Sequence, residues 1–217
     1  ANEEKDARIR NALKFWLDSH FTNMSILNRY RPEVSFPYNP LTGVFYVPSQ
    51  IAEADPFKAY ENKLKRLISA FSGKHAVAGS SIVSTGTAAS LPLESSTIDY
   101  IFTDPPFGEN IYYADLNQII ESWHGVFTDV HAEAIIDRVR EKDLHQYQAL
   151  MRRSFSEYFR ILKPGRWMTV VFSNSRASVW NAIQLALQQA GFVVAEVTAL
   201  DKKQGSFKQV TSTNAVK

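Results

Sequence analysis

The run Ile98-Asp99-Tyr100-Ile101-Phe102-Thr103 ends in Asp104-Pro105-Pro106-Phe107, and those four residue types suit one demanding chemistry. An amino group conjugated to an aromatic ring is a poor nucleophile, because its lone pair is delocalised into the ring. Methylating it requires that lone pair to be drawn back onto nitrogen. The carboxylate of Asp104 and a fixed backbone carbonyl at Pro105 can each accept from one of the two N–H groups, which favours a pyramidal, nucleophilic nitrogen. Phe107 offers a flat face to the ring, and the two prolines stiffen the turn by fixing φ and removing donors. The same tetrad is also a good end to any strand, since proline cannot donate to a ladder and Asp stabilises turns. Its position adds weight to the chemical reading. Asp99 is the single charge in the run before it, the pattern of a strand buried on both faces, and open α/β sheets bind ligands beyond the carboxyl ends of such strands.

The elements that must position this tetrad follow from periodicity and punctuation. Residues 5–19 read as a helix, with Ile9, Leu13, Trp16 and Leu17 at helical spacing. Prolines 32, 37, 40 and 48 make residues 28–49 loops and short extended pieces, with a turn at 39–43 leading into a strand. Asp55-Pro56 opens a second helix that Gly73 stops. From Lys74 the pattern alternates. Strands are expected at 75–83, 98–103, 167–172 and 192–200, and helices at 144–162 and 178–190, with Lys163-Pro164-Gly165 as a break and Gly191 as a C-cap. Strands separated by helices imply a mostly parallel sheet covered on both faces. The division that results is an N-terminal helical and loop extension, 1–73, and a catalytic domain, 74–217.

Composition narrows the function. With 217 residues the chain is long enough for a proper core, and a net charge of +2 means that any nucleic-acid contact must come from local clusters. It has no cysteine, so disulfides, cysteine-ligated zinc and any chemistry needing a cysteine nucleophile are excluded. His20, His75, His124, His131 and His145 are scattered, and no metal site is expected. Without a membrane span or a signal-peptide pattern, a soluble, cytoplasmic protein is expected. The chain starts at Ala1 and stops at Lys217 inside what reads as an unfinished strand, as expected of a piece of a longer polypeptide.

Taken in order, three stretches resemble the S-adenosylmethionine-dependent amino-methyltransferases that act on DNA. They are Ser84-Thr85-Gly86-Thr87-Ala88-Ala89-Ser90-Leu91, the strand with Asp104-Pro105-Pro106-Phe107-Gly108, and the segment from Tyr158-Phe159-Arg160-Ile161-Leu162-Lys163-Pro164-Gly165 through Phe172. The resemblance covers residues 74–217. It implies a Rossmann-like α/β methyltransferase fold, here incomplete, with S-adenosylmethionine as cofactor, DNA as partner, and N6-methyladenine or N4-methylcytosine as product, in a restriction-modification or phage-defence setting. It implies catalytic roles for Asp104, Pro105, Pro106 and Phe107, with Thr85, Gly86 and Asp104 on the cofactor side. Cytosine C5 methylation, which needs a cysteine, is excluded. One departure stands out. The Gly-rich loop of such enzymes, often Phe-x-Gly-x-Gly, is absent from a chain with nine glycines, and Gly86 lies too close before Asp104 to replace it. That loop is expected upstream or, in circularly permuted members, downstream of these residues, and the fragment alone is expected to be inactive.

A base inside a duplex must leave the stack to be modified, and aromatic walls hold it. Gly108, Asn110, Tyr112 and Tyr113 are therefore candidates for nucleic-acid contact, although the tyrosines fit equally well as a first helical turn packed on the sheet. Lys202, Lys203 and Lys208, in a Gly-containing hairpin, are further candidates. The clusters Lys63/Lys65/Arg66, Arg138/Arg140 and Arg152/Arg153 read more simply as solvated faces. Two other functions remain open: an RNA guanine-N2 methyltransferase, whose corresponding motif can also be Asp-Pro-Pro-aromatic-Gly, and a non-catalytic nucleic-acid-binding domain that keeps the fold.

Overall fold

The computed structural model of the protein describes residues 5–28, 30, 47–72, 81–109 and 111–199. The chain forms two units, one of Ala1–Val83 with Tyr112–His131 and the other of Ser84–Ile111 with Ala132–Lys217. Among the described residues no helix is long and apolar enough to cross a membrane.

The first unit is helical. Helix α1 (Ala7–Asp18) starts where Asp6 accepts from the Arg8 amide at 2.8 Å, and α2 (Pro56–Ser72) starts where Asp55 accepts from the Phe57 amide at 2.9 Å. Each is an Asx cap satisfying donors that the first helical turn leaves open. The two helices meet where the Trp16 indole donates to the Tyr60 carbonyl at 3.0 Å, with the rings edge to face at 5.6 Å. Helix α3 (Tyr113–His124) ends at Gly125, whose φ of +69° suits the left-handed cap. His124 and Asp18 meet at 2.7 Å, and Trp123 lies edge-on to Phe21. No residue of α1 or α2 is buried.

The second unit holds the core. Helix α4 (Leu144–Ile161) buries Tyr147, Met151 and Phe155, three residues one helical turn apart, against Val179, Ile183, Ala186, Leu187 and Ala190 of α5 (Ala177–Ala190). The alanines of α5 let the two helices approach closely. A capping box between Asp143 and Gln146 opens α4. The helix then runs without a connecting loop into β2 (Leu162–Val170), with Ile161 and Leu162 both buried. Strand β2 pairs in parallel with β1 (Ile98–Thr103), in the register Tyr100 with Trp167 through Thr103 with Val170. Met168 and Val170 of β2 pack on the helical core.

Several expectations change. The strand predicted at 167–172 begins at Leu162 instead, and Lys163-Pro164-Gly165 is an irregularity within it. The register shifts between Ile98 and Tyr100, and Gly165 has a φ of +73°. Proline cannot donate and glycine admits the left-handed region, so the pair distorts the ladder without ending it. Strand β1 is not buried on both faces, since Tyr100 is 54%, Phe102 65% and Trp167 66% exposed. Pairing settles which face is covered. Residues alternate along a strand, α4 and α5 cover one face, and among the described residues nothing covers the other. Residues 192–199 form no strand, because a strand needs a partner and the described residues provide none. Phe192 instead lies edge-on to Phe159 at 5.2 Å. Gly191 caps α5 as expected, with a φ of +103°, and a Cβ there would stand 3.0 Å from the Phe159 ring. Of the strand expected at 75–83, residues 81–83 are irregular and the rest lie outside the described residues, as do the turn and most of the strand expected at 39–47.

Candidate active site

The tetrad sits where β1 stops. The Val171 amide still donates to the Thr103 carbonyl at 2.9 Å, after which the chain leaves the sheet. The backbone carbonyls that follow are disposed unequally. That of Pro106 accepts from the Tyr147 hydroxyl at 2.6 Å, that of Phe107 from the Asn174 side-chain amide at 2.6 Å, and that of Gly108 from the Ile136 amide at 3.2 Å. Among the described residues the Pro105 carbonyl and the exposed Asp104 carboxylate have no hydrogen-bond partner. Three consecutive carbonyls are thus fixed to protein, and the two acceptors just before them are left for something else.

The fixing groups are themselves held. Tyr147 projects from the first turns of α4 and is fully buried, and burial pushes its phenol well above the ordinary value against a smaller opposing hydrogen bond from the Gly108 backbone. It therefore remains a protonated donor at any working pH. Asn174 accepts from the Arg176 amide at 2.7 Å through its side-chain oxygen, and its own carbonyl accepts from the Trp180 indole at 2.8 Å. The Phe107 ring stands edge-on to Phe172 at 5.2 Å, and Phe172 edge-on to Trp180 at 5.0 Å. Such edge-to-face contacts suit the positive ring edge and negative ring face. Arg176 also forms an ion pair with Glu109, the residue after Gly108.

Residues 98–216, more than half of the chain, match the family model described as DNA methylase (N6_N4_Mtase). The chain belongs to this DNA methylase family. No curated protein and no solved structure shows significant similarity to it.

The methylase's remaining candidate residues are distributed unevenly. Thr85 and Gly86 are exposed in an irregular segment, and a Cβ built on Gly86 would meet nothing within 4 Å. Gly108 is buried with a φ of +88°, and a Cβ there would lie 3.3 Å from both Asn174 and Val179. The room this glycine leaves is taken by protein. Tyr112 and Tyr113 begin α3 in the other unit. Asn110, Lys202, Lys203 and Lys208 lie outside the described residues. Among the described residues no group of three or more His, Asp or Glu side chains comes together.

Tyr147, Asn174 and Trp180 escaped the sequence reading. By spacing alone Tyr147 reads only as one apolar position of the helix expected at 144–162. The available signals were a hydroxyl on an otherwise apolar helical stripe, and the polar Ser173-Asn174-Ser175 directly after a strand.

Proposed function

We propose that this DNA methylase methylates an exocyclic amine of a DNA base, adenine N6 or cytosine N4, with Asp104 and the Pro105 carbonyl as the acceptors that activate the nitrogen. One observation carries the reading. At the end of β1 these two acceptors are unpartnered, while the next three carbonyls are each tied to a donor. Buried backbone acceptors are nearly always satisfied, so an unpaired carbonyl in a buried proline beside an exposed carboxylate marks where a ligand's donors belong.

The two N–H groups of the target amine would donate to Asp104 and Pro105, localising the lone pair on nitrogen. Phe107, anchored through Phe172, would bound the base. Positioning of this kind supplies much of the rate in a direct transfer. The methyl donor implied by the family is S-adenosylmethionine. The described residues do not fit a cradle for it, because Thr85 and Gly86 stand exposed with nothing against the glycine. We also infer that β1 and β2 are neighbouring strands of a wider, Rossmann-like parallel sheet. Their parallel pairing and the exposed Tyr100, Phe102 and Trp167 on the uncovered face support this.

The test is transfer of tritium from labelled S-adenosylmethionine to duplex DNA, RNA and protein by the complete polypeptide that carries this sequence, with and without Asp104→Ala. Label is expected in DNA and lost with the substitution. Equal labelling by both would overturn the role of Asp104, and label in RNA alone would replace the substrate.

A further inference from the structure

Segment 132–143 returns to the Asp104 turn and presents a hairpin beside it. Asp137 and Lys142 exchange backbone hydrogen bonds in both directions, at 2.9 and 2.8 Å. Between them residues 138–141 turn, with Glu141 in the left-handed region at a φ of +56°. The Asp137 side chain holds this turn from below. It is 3% exposed, and its carboxylate accepts from the Val139 amide at 2.9 Å, the Arg140 amide at 3.3 Å and the Arg140 guanidinium at 2.7 Å. Burial opposes ionisation of this carboxyl, but these hydrogen bonds outweigh it and hold the group below its ordinary range. The Lys142 ammonium, also buried, donates to the Glu133 carbonyl at 2.6 Å.

Two side chains of the turn that this framework holds in place face solvent, those of Arg138 and Val139. Val139 is 92% exposed. Arg138 is exposed; its carbonyl accepts from the Glu141 amide at 3.4 Å, and its guanidinium has no hydrogen bond or ion pair among the described residues. The tip is nevertheless tethered to the candidate site. Ile136, buried, donates its amide to the Gly108 carbonyl at 3.2 Å, and three residues of chain span at most about 10 Å. Val139 is therefore within about 13 Å, about four base-pair steps, of the Gly108 carbonyl at the end of the turn that carries Asp104.

We propose that the 138–141 turn is a contact for duplex DNA flanking the target nucleotide, with Arg138 on a backbone phosphate and the Val139 methyls against the bases beside the extruded one. A rigid apolar tip next to a free guanidinium has the chemistry of the wedges that proteins insert where a base leaves the stack. The proposal rests on the reading that Asp104 receives a base from duplex DNA. Glu141, the exposed acid of the same turn, opposes the phosphate contact and provides an internal control of sign.

The experiment measures binding of a fluorescent mixed-sequence DNA duplex by anisotropy across a salt series, for the unaltered chain, Arg138→Ala, Arg138→Lys and Glu141→Gln. Each phosphate contact contributes about 0.9 to the slope of log affinity against log salt. Arg138→Ala should therefore reduce the slope by about one and weaken binding about fivefold at 0.15 M salt. Arg138→Lys should keep the slope, and Glu141→Gln should tighten binding. Val139→Ser should leave the slope unchanged but lower the fluorescence of a 2-aminopurine placed in the duplex, which reports unstacking. Circular dichroism confirms that each variant is folded. Duplex binding by the unaltered chain with the same slope in Arg138→Ala overturns this inference alone. No binding by the unaltered chain overturns it together with the DNA reading, and tighter binding of an RNA duplex overturns the choice of DNA.

Discussion

Helices α2 and α5 obey the same rule and meet different fates. Both carry apolar residues at helical spacing, and both form where that spacing places them. In α5 six residues are buried, three of them alanines that let α4 come close. In α2 none is buried, with Phe57 86% and Phe71 77% exposed. The comparison teaches that periodicity creates an apolar stripe but says nothing of what will cover it. Coverage decides energy. A fully buried large side chain contributes about 1.5–3 kcal/mol, and one left in water contributes almost nothing. The first unit therefore relies on caps and on single contacts such as Trp16 with Tyr60, while the second relies on a continuous core.

The sharpest way to break this contrast is to truncate one aromatic in each unit. Phe155→Ala, in the α4–α5 core, should cost about 3–5 kcal/mol in urea unfolding, while Phe71→Ala should stay within about 0.5 kcal/mol. Equal costs would mean that α2 is covered after all. Next is Gly108→Ala, which combines a left-handed backbone with contacts at 3.3 Å on Asn174 and Val179. A loss of about 1–3 kcal/mol is expected by thermal melting, with methyl transfer falling further than stability alone accounts for.

A finer comparison sets Tyr147 against Tyr60. Tyr147→Phe removes a buried 2.6 Å bond to the Pro106 carbonyl and should cost about 1–1.5 kcal/mol. Tyr60→Phe removes a partly exposed 3.3 Å bond to the Leu17 carbonyl and should cost about 0.5 kcal/mol or less. If the Pro106 tie aims Pro105 at the amine, Tyr147→Phe also lowers kcat with KM little changed, and Tyr60→Phe lowers neither.

The smallest effect is one of pH. Glu157 is held down to about 2 from 4.5, first by its hydrogen bonds from Arg160 and then by the Leu91 amide. A carboxyl depressed in the folded state contributes stability above its unfolded value and loses it as the pH falls. The attachment of the 91–95 segment to α4 should therefore weaken between pH 4.5 and about 2. Amide exchange at Leu91 reads this directly, and Glu157→Gln should flatten the pH dependence in that window.

Local chemistry was legible in the sequence, and long-range pairing was not. The Asp104 turn, the start of β1, both helices of the core and the Gly191 cap each depend on neighbours within a few residues, so residue type and spacing located them. The segment 192–199 has the composition of a strand but lacks a partner among the described residues, and composition carries no information about partners. Tyr147 and Asn174 were missed for a related reason. Their hydrogen bonds to the turn span 41 and 67 residues, and on sequence alone a tyrosine on an apolar stripe is indistinguishable from packing.

The junction of Ile161 and Leu162, where α4 becomes β2 with no residue between, also sets what evolution can do with this chain. One inserted residue there would turn the helix by about 100° relative to the strand, or else move every β2 side chain to the opposite face. Either change would carry the Tyr147 hydroxyl away from the Pro106 carbonyl. Insertions and deletions should thus be tolerated in the irregular stretch before β1 and purged at this seam, so that in any set of homologous chains the spacing from Tyr147 to Met168 stays constant while the spacing from Gly86 to Ile98 drifts.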